Sequence, residues 1–140
     1  MFIPDLAPYA CAFRWAVPLY AVGWLEHSAP YTRGAAPAEL VKKLEALAKK
    51  PIIVSMGYHE CSFCGYSGRF WDRRIYIPGD GEVFVTPGGA DHYIESHSYL
   101  PPARFIDAAL RCPDPDSAAY WAAMRESNAG IDAPFAPDKQ

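Results

Sequence analysis

Residues 57–65 read Gly-Tyr-His-Glu-Cys-Ser-Phe-Cys-Gly, and this stretch organises the chain around a cluster of metal-ligating side chains. Cys61 and Cys64 are three positions apart, so one tight turn can aim both sulfurs at a single tetrahedral ion. Gly65 can adopt a positive φ, which lets the chain curl back and point backbone amides at the thiolates. The stretch therefore predicts a metal-binding turn, and zinc suits its thiolate and imidazole groups.

Two histidines further along the chain supply the second half of the predicted site. His92 and His97 have four residues between them, within the spacing that zinc-binding histidine pairs use. On an ideal helix, positions five apart lie about 140° from each other around the axis. The pair converges only if the helix is distorted or ends between them, or if the rotamers are opposed. Otherwise His59 supplies the fourth ligand, because His59 and Cys61 are two positions apart on an extended segment and can face the same side.

The cysteine pair has two other interpretations. A redox pair requires the motif at the start of a helix in a βαβ unit, and residues 65–68 do not look helical. Inert thiols are the second alternative, but three of the four histidines (His59, His92 and His97) belong to the predicted constellation, which favours a metal. Cys11 is expected to be a plain apolar residue, and so is Cys112, a weak candidate for the fourth ligand.

Composition limits the classes of function. The 140 residues are 51% hydrophobic and 21% charged, which predicts one globular domain over residues 1–127. A net charge of −3 without a long basic run weighs against nucleic-acid binding. No signal peptide or membrane span is evident, so we expect a cytoplasmic protein with reduced thiols. The 14% aromatic content implies a ring-rich core or a ring-lined cleft.

The hydrophobic patterns predict an α+β fold: a small antiparallel sheet with a zinc knuckle, followed by two to three C-terminal helices. Residues 78–81, Pro-Gly-Asp-Gly, are a hairpin signal. Asp91 is expected to cap the helix that carries the histidines. Residues 128–140 are expected to be a loosely ordered tail. The predicted strands are 15–25, 52–56, 74–77 and 82–86, and the predicted helices are 38–50, 92–99, 103–111 and 117–127.

A short basic and aromatic cluster follows the cysteine turn. Arg69, Arg73 and Arg74 surround Phe70 and Trp71. Such a cluster can bind a phosphate or a nucleic-acid strand, but a solvated loop whose rings pack inward is the favoured interpretation.

Four motifs together carry a resemblance. They are Val22-Gly23-Trp24-Leu25-Glu26, then Gly34 before Pro37-Ala38-Glu39-Leu40, then Gly57-x-His59-x-Cys61-x-x-Cys64, and then His92-Tyr93-Ile94-x-x-His97-x-Tyr99-x-Pro101-Pro102-x-x-Phe105. On these residues the chain resembles a family of short uncharacterised bacterial proteins over residues 5–112. The resemblance implies no activity, but it implies that the two His/Cys segments belong to one module. The turn itself resembles a rubredoxin-type zinc knuckle, with Ser62 where proline is often found.

The sequence therefore predicts a small zinc-binding protein with a structural Cys2His2 site. Its ligands are Cys61, Cys64, His92 and His97, with His59 in reserve. The expected role is a binding or accessory module for a protein or small-molecule partner. The alternative is a zinc-dependent enzyme with an open coordination position and Glu60 or Glu95 as general acid/base.

Overall fold

A computed structural model describes residues 2–11, 13–50, 53–54, 60–68 and 70–137. One helix follows the first strand, and three helices follow the last strand, which confirms the α+β prediction. The longest helix in these ranges has 12 residues, and none can cross a membrane. The elements are β1 (Leu19–Ala21), α1 (Ala38–Lys49), β2 (Ile53–Val54), β3 (Arg73–Pro78), β4 (Val83–Pro87), α2 (Ala90–His97), α3 (Ala103–Arg111) and α4 (Ala118–Ser127).

The four strands form one sheet in the order β1-β4-β3-β2. β3 and β4 form the predicted hairpin, which pairs Arg74 with Pro87 at one end and Pro78 with Val83 at the other. β2 is antiparallel to β3, as expected, but β1 runs parallel to β4. The sheet is therefore mixed rather than antiparallel, because β1 reaches its edge through a long connection that contains α1 and not through a hairpin turn.

The first predicted strand is much shorter than expected. Only Leu19–Ala21 pairs with β4, whereas residues 15–25 are apolar and aromatic enough for a longer strand. The opposite edge of β1 is occupied by the N-terminal segment, through bridges from Pro8 to Tyr20 and from Ile3 to Trp24. The chain leaves the sheet at Gly23, whose φ is +82°.

The helices pack one apolar side on the sheet, as their periodicity predicts. α1 buries Leu40, Leu44 and Leu47, and α3 buries Phe105 and Ala109. Both helices follow a proline that fixes the backbone at the helix start. The side-chain oxygen of Ser117 accepts the backbone N–H of Tyr120 and caps α4. The predicted bounds of these three helices agree with the structure to within one residue.

The segment after α4 was expected to be loosely held, but it packs onto the sheet. Asn128 is 1% exposed, and its side chain accepts the backbone N–H of Ala16 and donates to the carbonyl of Ile131. The ring of Phe135 lies 4.9 Å from that of Tyr76 and 5.4 Å from that of Trp15. The Phe135 ring and the hydrogen-bonded Asn128 amide therefore attach this segment to the rest of the fold, although its composition predicts a loosely ordered tail.

A partly buried hydrogen-bond network ties the N-terminal segment to the chain after α2. Asp5 accepts the backbone N–H of Gly23 at 3.0 Å and the hydroxyl of Tyr99 at 2.7 Å. Burial, followed by the negative charge of Asp5, raises the pKa of Tyr99, so this hydroxyl stays protonated and donates. Tyr99 is completely buried, so its hydroxyl depends on Asp5 for a hydrogen-bond acceptor.

Tyr99→Phe removes the hydroxyl donor of this network, and we expect it to lower the free energy of unfolding by about 2 kcal/mol. Tyr20→Phe is the matched control, because Tyr20 is half-buried and its hydroxyl has no hydrogen-bond partner among the described residues. That variant should change stability by less than about 0.5 kcal/mol. Urea unfolding of both variants measures the difference, and equal effects would contradict the proposed contribution of the network.

Candidate metal centre

Two backbone hydrogen bonds close the cysteine turn. The N–H of Gly65 donates to the carbonyl of Cys61 at 2.7 Å, and the N–H of Cys61 donates to the carbonyl of Tyr66 at 2.8 Å. Gly65 has a φ of +76°, the left-handed conformation that glycine adopts without strain. The turn therefore has the form that the Cys-x-x-Cys-Gly pattern predicts.

The loop after β1 anchors this turn from outside. The backbone N–H of His27 donates to the hydroxyl of Ser62 at 2.9 Å. Tyr31 donates its hydroxyl to the backbone carbonyl of His97 at 2.8 Å, and its ring packs edge-on against Phe63. One loop thus contacts both halves of the predicted site.

The link between β4 and α2 brings the histidines to the turn. The N–H of Gly88 donates to the carbonyl of Arg73 at 2.9 Å. A Cβ at Gly88 would clash with the carbonyl oxygen of Phe70, and a Cβ at Gly89 would overlap the ring of Trp71. Two consecutive glycines are needed here because the backbone runs directly against residues 70–71. Asp91 does not cap α2, because the helix begins one residue earlier at Ala90 with Gly89 at its N-cap.

The two histidines converge although both are helical residues of α2. His97 is the last helical residue, and Ser98 takes a left-handed conformation with a φ of 54°. The two imidazole ring centres lie 5.2 Å apart in an edge-to-face arrangement. The His-x4-His spacing therefore does not keep the two imidazoles apart, although the helix does not end between them.

The four predicted donor atoms form one cluster. Cys61 Sγ lies 3.3 Å from His97 Nε2, and Cys64 Sγ lies 3.4 Å from His92 Nε2. All four donor atoms lie within 4.8 Å of one another. Bond lengths of about 2.3 Å to sulfur and 2.0–2.1 Å to nitrogen give a tetrahedral S···N edge of roughly 3.5 Å. The cluster therefore has the size that a metal ion requires.

The protein environment differs between the two cysteines. Cys61 is buried, and burial raises the pKa of its thiol, although backbone hydrogen bonds from Phe63 and Cys64 oppose that shift. Cys64 is exposed. Burial, and then the neighbouring His97, lower the pKa of His92, which favours the neutral imidazole that a metal binds.

Aromatic rings surround the imidazoles and fix their orientation. Tyr66 stacks on His92 with ring centres 4.5 Å apart, and Trp71 meets the same imidazole edge-on at 5.4 Å. Phe63 lies 4.9 Å from the ring of His97. Rings packed in this way restrict both χ angles, so little side-chain freedom remains to be lost when an ion binds.

The other candidate residues lie elsewhere or outside the described ranges. His59, the reserve ligand, falls in the undescribed segment 55–59. Glu60 and Glu95 are exposed, and the four-residue donor cluster does not include them. Cys11 and Cys112 also lie outside the cluster, and burial raises the pKa of Cys112 to about 11.

The basic and aromatic cluster folds differently from a solvated loop. Trp71 is 8% exposed, which confirms that this ring packs inward, and Arg73 and Arg74 belong to β3. Arg73 donates to the carbonyl of Ala48 at 2.7 Å, and its guanidinium lies 4.6 Å from the ring centre of Phe70. Arg69 lies outside the described residues.

A cavity of about 300 Å³ lies beside the donor cluster, and no sequence pattern predicted it. Tyr9 and Trp24 line it, far along the chain from Trp71, Arg74 and Tyr93. The high aromatic content was compatible with such a cleft, but composition cannot show which rings meet in space.

Comparisons with known proteins give one match. A family model described as Domain of unknown function (DUF7919) matches residues 1–110. The match includes the cysteine turn and α2 and ends within α3, so α4 and the segment after it lie outside it. Neither a curated protein nor a solved structure matches the chain.

Gly88→Ala should lower the free energy of unfolding by about 3 kcal/mol, because its clash is with a backbone carbonyl that no rotamer change can relieve. Gly81→Ala is the control, since nothing lies within 4 Å of its Cβ position and its φ of +64° adds only about 1 kcal/mol of strain. The imidazole NMR signals of His92 and His97 should shift in the first variant alone. Unchanged signals in Gly88→Ala would show that this link does not position α2.

Proposed function

The chain belongs to the family described as Domain of unknown function (DUF7919), and we propose that it is a small zinc-binding protein with a structural Cys2His2 site. The observation that carries the proposal is the convergence of Cys61, Cys64, His92 and His97, whose donor atoms lie within 4.8 Å of one another. Two sequence segments and two different kinds of backbone structure, a turn and a helix, contribute to this cluster.

The donor set supports zinc over other biological cations. Two sulfurs and two imidazole nitrogens at tetrahedral spacing suit a borderline-soft ion without geometric preference. Magnesium and calcium select oxygen ligands, and no oxygen donor belongs to this group in the described chain. Zinc would bind the Cys61 and Cys64 thiolates and the Nε2 atoms of both histidines.

The number of donors supports a structural role. Four protein ligands fill a tetrahedral sphere, whereas catalytic zinc keeps one position for water. Two thiolates also reduce the Lewis acidity of the ion. The competing enzyme hypothesis needs one ligand to leave and Glu60 or Glu95 to reach the ion, yet both carboxylates are exposed to solvent.

A closed site of this kind would cross-link the cysteine turn to α2. Residues 61–66 have few backbone hydrogen bonds of their own, so an ion that joins them to a helix adds rigidity where the sheet does not reach. A rigid surface without catalytic groups fits a binding or accessory module. The proposal also fits a reducing, cytoplasmic setting, where the thiols stay available to the metal.

The purified protein should contain one zinc ion per chain, and Cys64→Ser should abolish it, because zinc requires the thiolate ligand. Cys11→Ser is the matched control, since Cys11 lies outside the donor cluster, and it should retain zinc. Elemental analysis measures both, and cobalt substitution should give the intense visible bands of four-coordinate Co²⁺. Metal-free wild-type protein, or zinc retained in Cys64→Ser, would contradict the proposal.

Removing zinc with a chelator should lower the unfolding free energy of wild-type protein by several kcal/mol, because metal binding and folding are coupled. The same chelator should leave Cys64→Ser unchanged, since that variant has no ion to lose. Thermal unfolding with and without chelator measures the effect. A wild-type protein whose unfolding midpoint does not respond would show that any bound zinc has no structural role.

A further inference from the structure

The cavity of about 300 Å³ lies next to the zinc-ligand cluster but does not contain it. Its walls come from the N-terminal segment, the loop after β1, the cysteine turn and the end of the β3–β4 hairpin. A volume near 300 Å³ is at the lower end of the range for small-molecule sites. Its lining residues include four aromatic side chains, two arginines and two glutamates: Tyr9, Trp24, Trp71, Tyr93, Arg73, Arg74, Glu26 and Glu60.

The aromatic walls of the cavity are held in place by their own contacts. Tyr9 and Trp24 stack with ring centres 5.5 Å apart, and the indole N–H of Trp24 donates to the carbonyl of Val85 at 2.9 Å. Trp71 and Tyr93 meet edge-on at 5.5 Å. These fixed rings present flat apolar surfaces, which favour a planar aromatic ligand.

One of the two arginines is available to a ligand. Arg74 donates from Nη1 to the hydroxyl of Tyr9 at 3.3 Å, but its buried Nε has no hydrogen-bond acceptor within the described chain. No described carboxylate forms an ion pair with it. Arg73, in contrast, already donates to the carbonyl of Ala48 and lies over the ring of Phe70. A partly buried guanidinium that forms no ion pair with a described carboxylate favours an anionic ligand group.

The two glutamates that line the cavity lie on different walls from Arg74. Glu60 precedes Cys61 in the turn, and Glu26 precedes His27, whose backbone N–H donates to Ser62. Arg74 lies on β3, opposite Pro87 of β4. Because the two signs of charge come from separate walls, a ligand with one anionic group is attracted to β3 and repelled from the turn.

We propose that this cavity binds a small planar aromatic carboxylate, with its ring against Trp24 and Trp71 and its carboxylate on Arg74. This gives the proposed binding module a ligand class, and it rests on the proposed zinc site in one respect. Glu60 and Ser62 flank Cys61, and Trp71 packs on His92. Because Cys61 and His92 are proposed zinc ligands, zinc would hold part of the cavity wall in place.

Three probes of similar size and different charge test the proposal on the full chain as purified. They are 2-naphthoate, neutral 2-naphthamide and cationic 2-naphthylmethylamine. The chain has four tryptophans, and each gives one indole N–H signal in a ¹H–¹⁵N spectrum. Naphthoate should shift the signals of Trp24 and Trp71 and leave those of Trp15 and Trp121, which lie outside the cavity, unchanged. It should bind at least about tenfold more tightly than the amide, as expected for a charge-assisted hydrogen bond.

Arg74→Gln should reduce naphthoate affinity to that of the amide, and amide affinity should stay the same. Arg104→Gln is the matched control, because Arg104 is exposed, pairs with Glu82 and lies outside the cavity. Equal affinity for naphthoate and amide, tighter binding of the amine, shifts at Trp15 or Trp121, or no binding would each overturn the proposal. These outcomes are measured on wild-type protein, so they do not depend on the folding of Arg74→Gln.

Zinc content measured on the same samples separates the two proposals. Stoichiometric zinc without naphthoate binding would overturn the cavity proposal and leave the metal site intact. Naphthoate binding to protein that contains no zinc would support the cavity and contradict the proposed function.

Discussion

The close approach of the Gly88–Gly89 backbone to residues 70–71 is the constraint on which the site depends. A side chain at either glycine would occupy space that the Phe70 carbonyl or the Trp71 ring already fills. Because the link can run directly against these residues, α2 starts immediately after β4 and aims both histidines at the cysteine turn. The β3–β4 hairpin is a rigid frame, and the two glycines fix the position of α2 and its histidines relative to it.

Trp71 connects the donor cluster to the cavity beside it. Its ring meets His92 edge-on at 5.4 Å and also lines the cavity, and Tyr93, the next residue of α2, lines the cavity as well. Ser62 joins the turn to the loop after β1 and belongs to the same cavity wall. The site and the cavity thus share side chains, so a change in one alters the packing of the other.

Sequence patterns predicted the elements whose signals are local. The Pro-Gly-Asp-Gly hairpin, α1 after Pro37, α3 after Pro102 and the Ser117 cap all depend on residues within a few positions of one another. The predictions failed where distant residues compete. β1 pairs with β4 in parallel, and Phe135 packs on Tyr76 and Trp15. None of these partners is near in sequence.

The four candidate donors can be identified from the amino-acid sequence, because zinc chemistry selects thiolate and imidazole and short spacings limit where these groups can point. The sequence also determined the α+β class through the order of its periodic segments. The convergence of two imidazoles from one helix with Cys61 and Cys64 follows from how α2 packs beside the cysteine turn, which no local pattern predicts. Only the tertiary structure brought Tyr9, Trp24 and Arg74 together around a cavity, because contacts between distant segments follow from packing and not from local sequence.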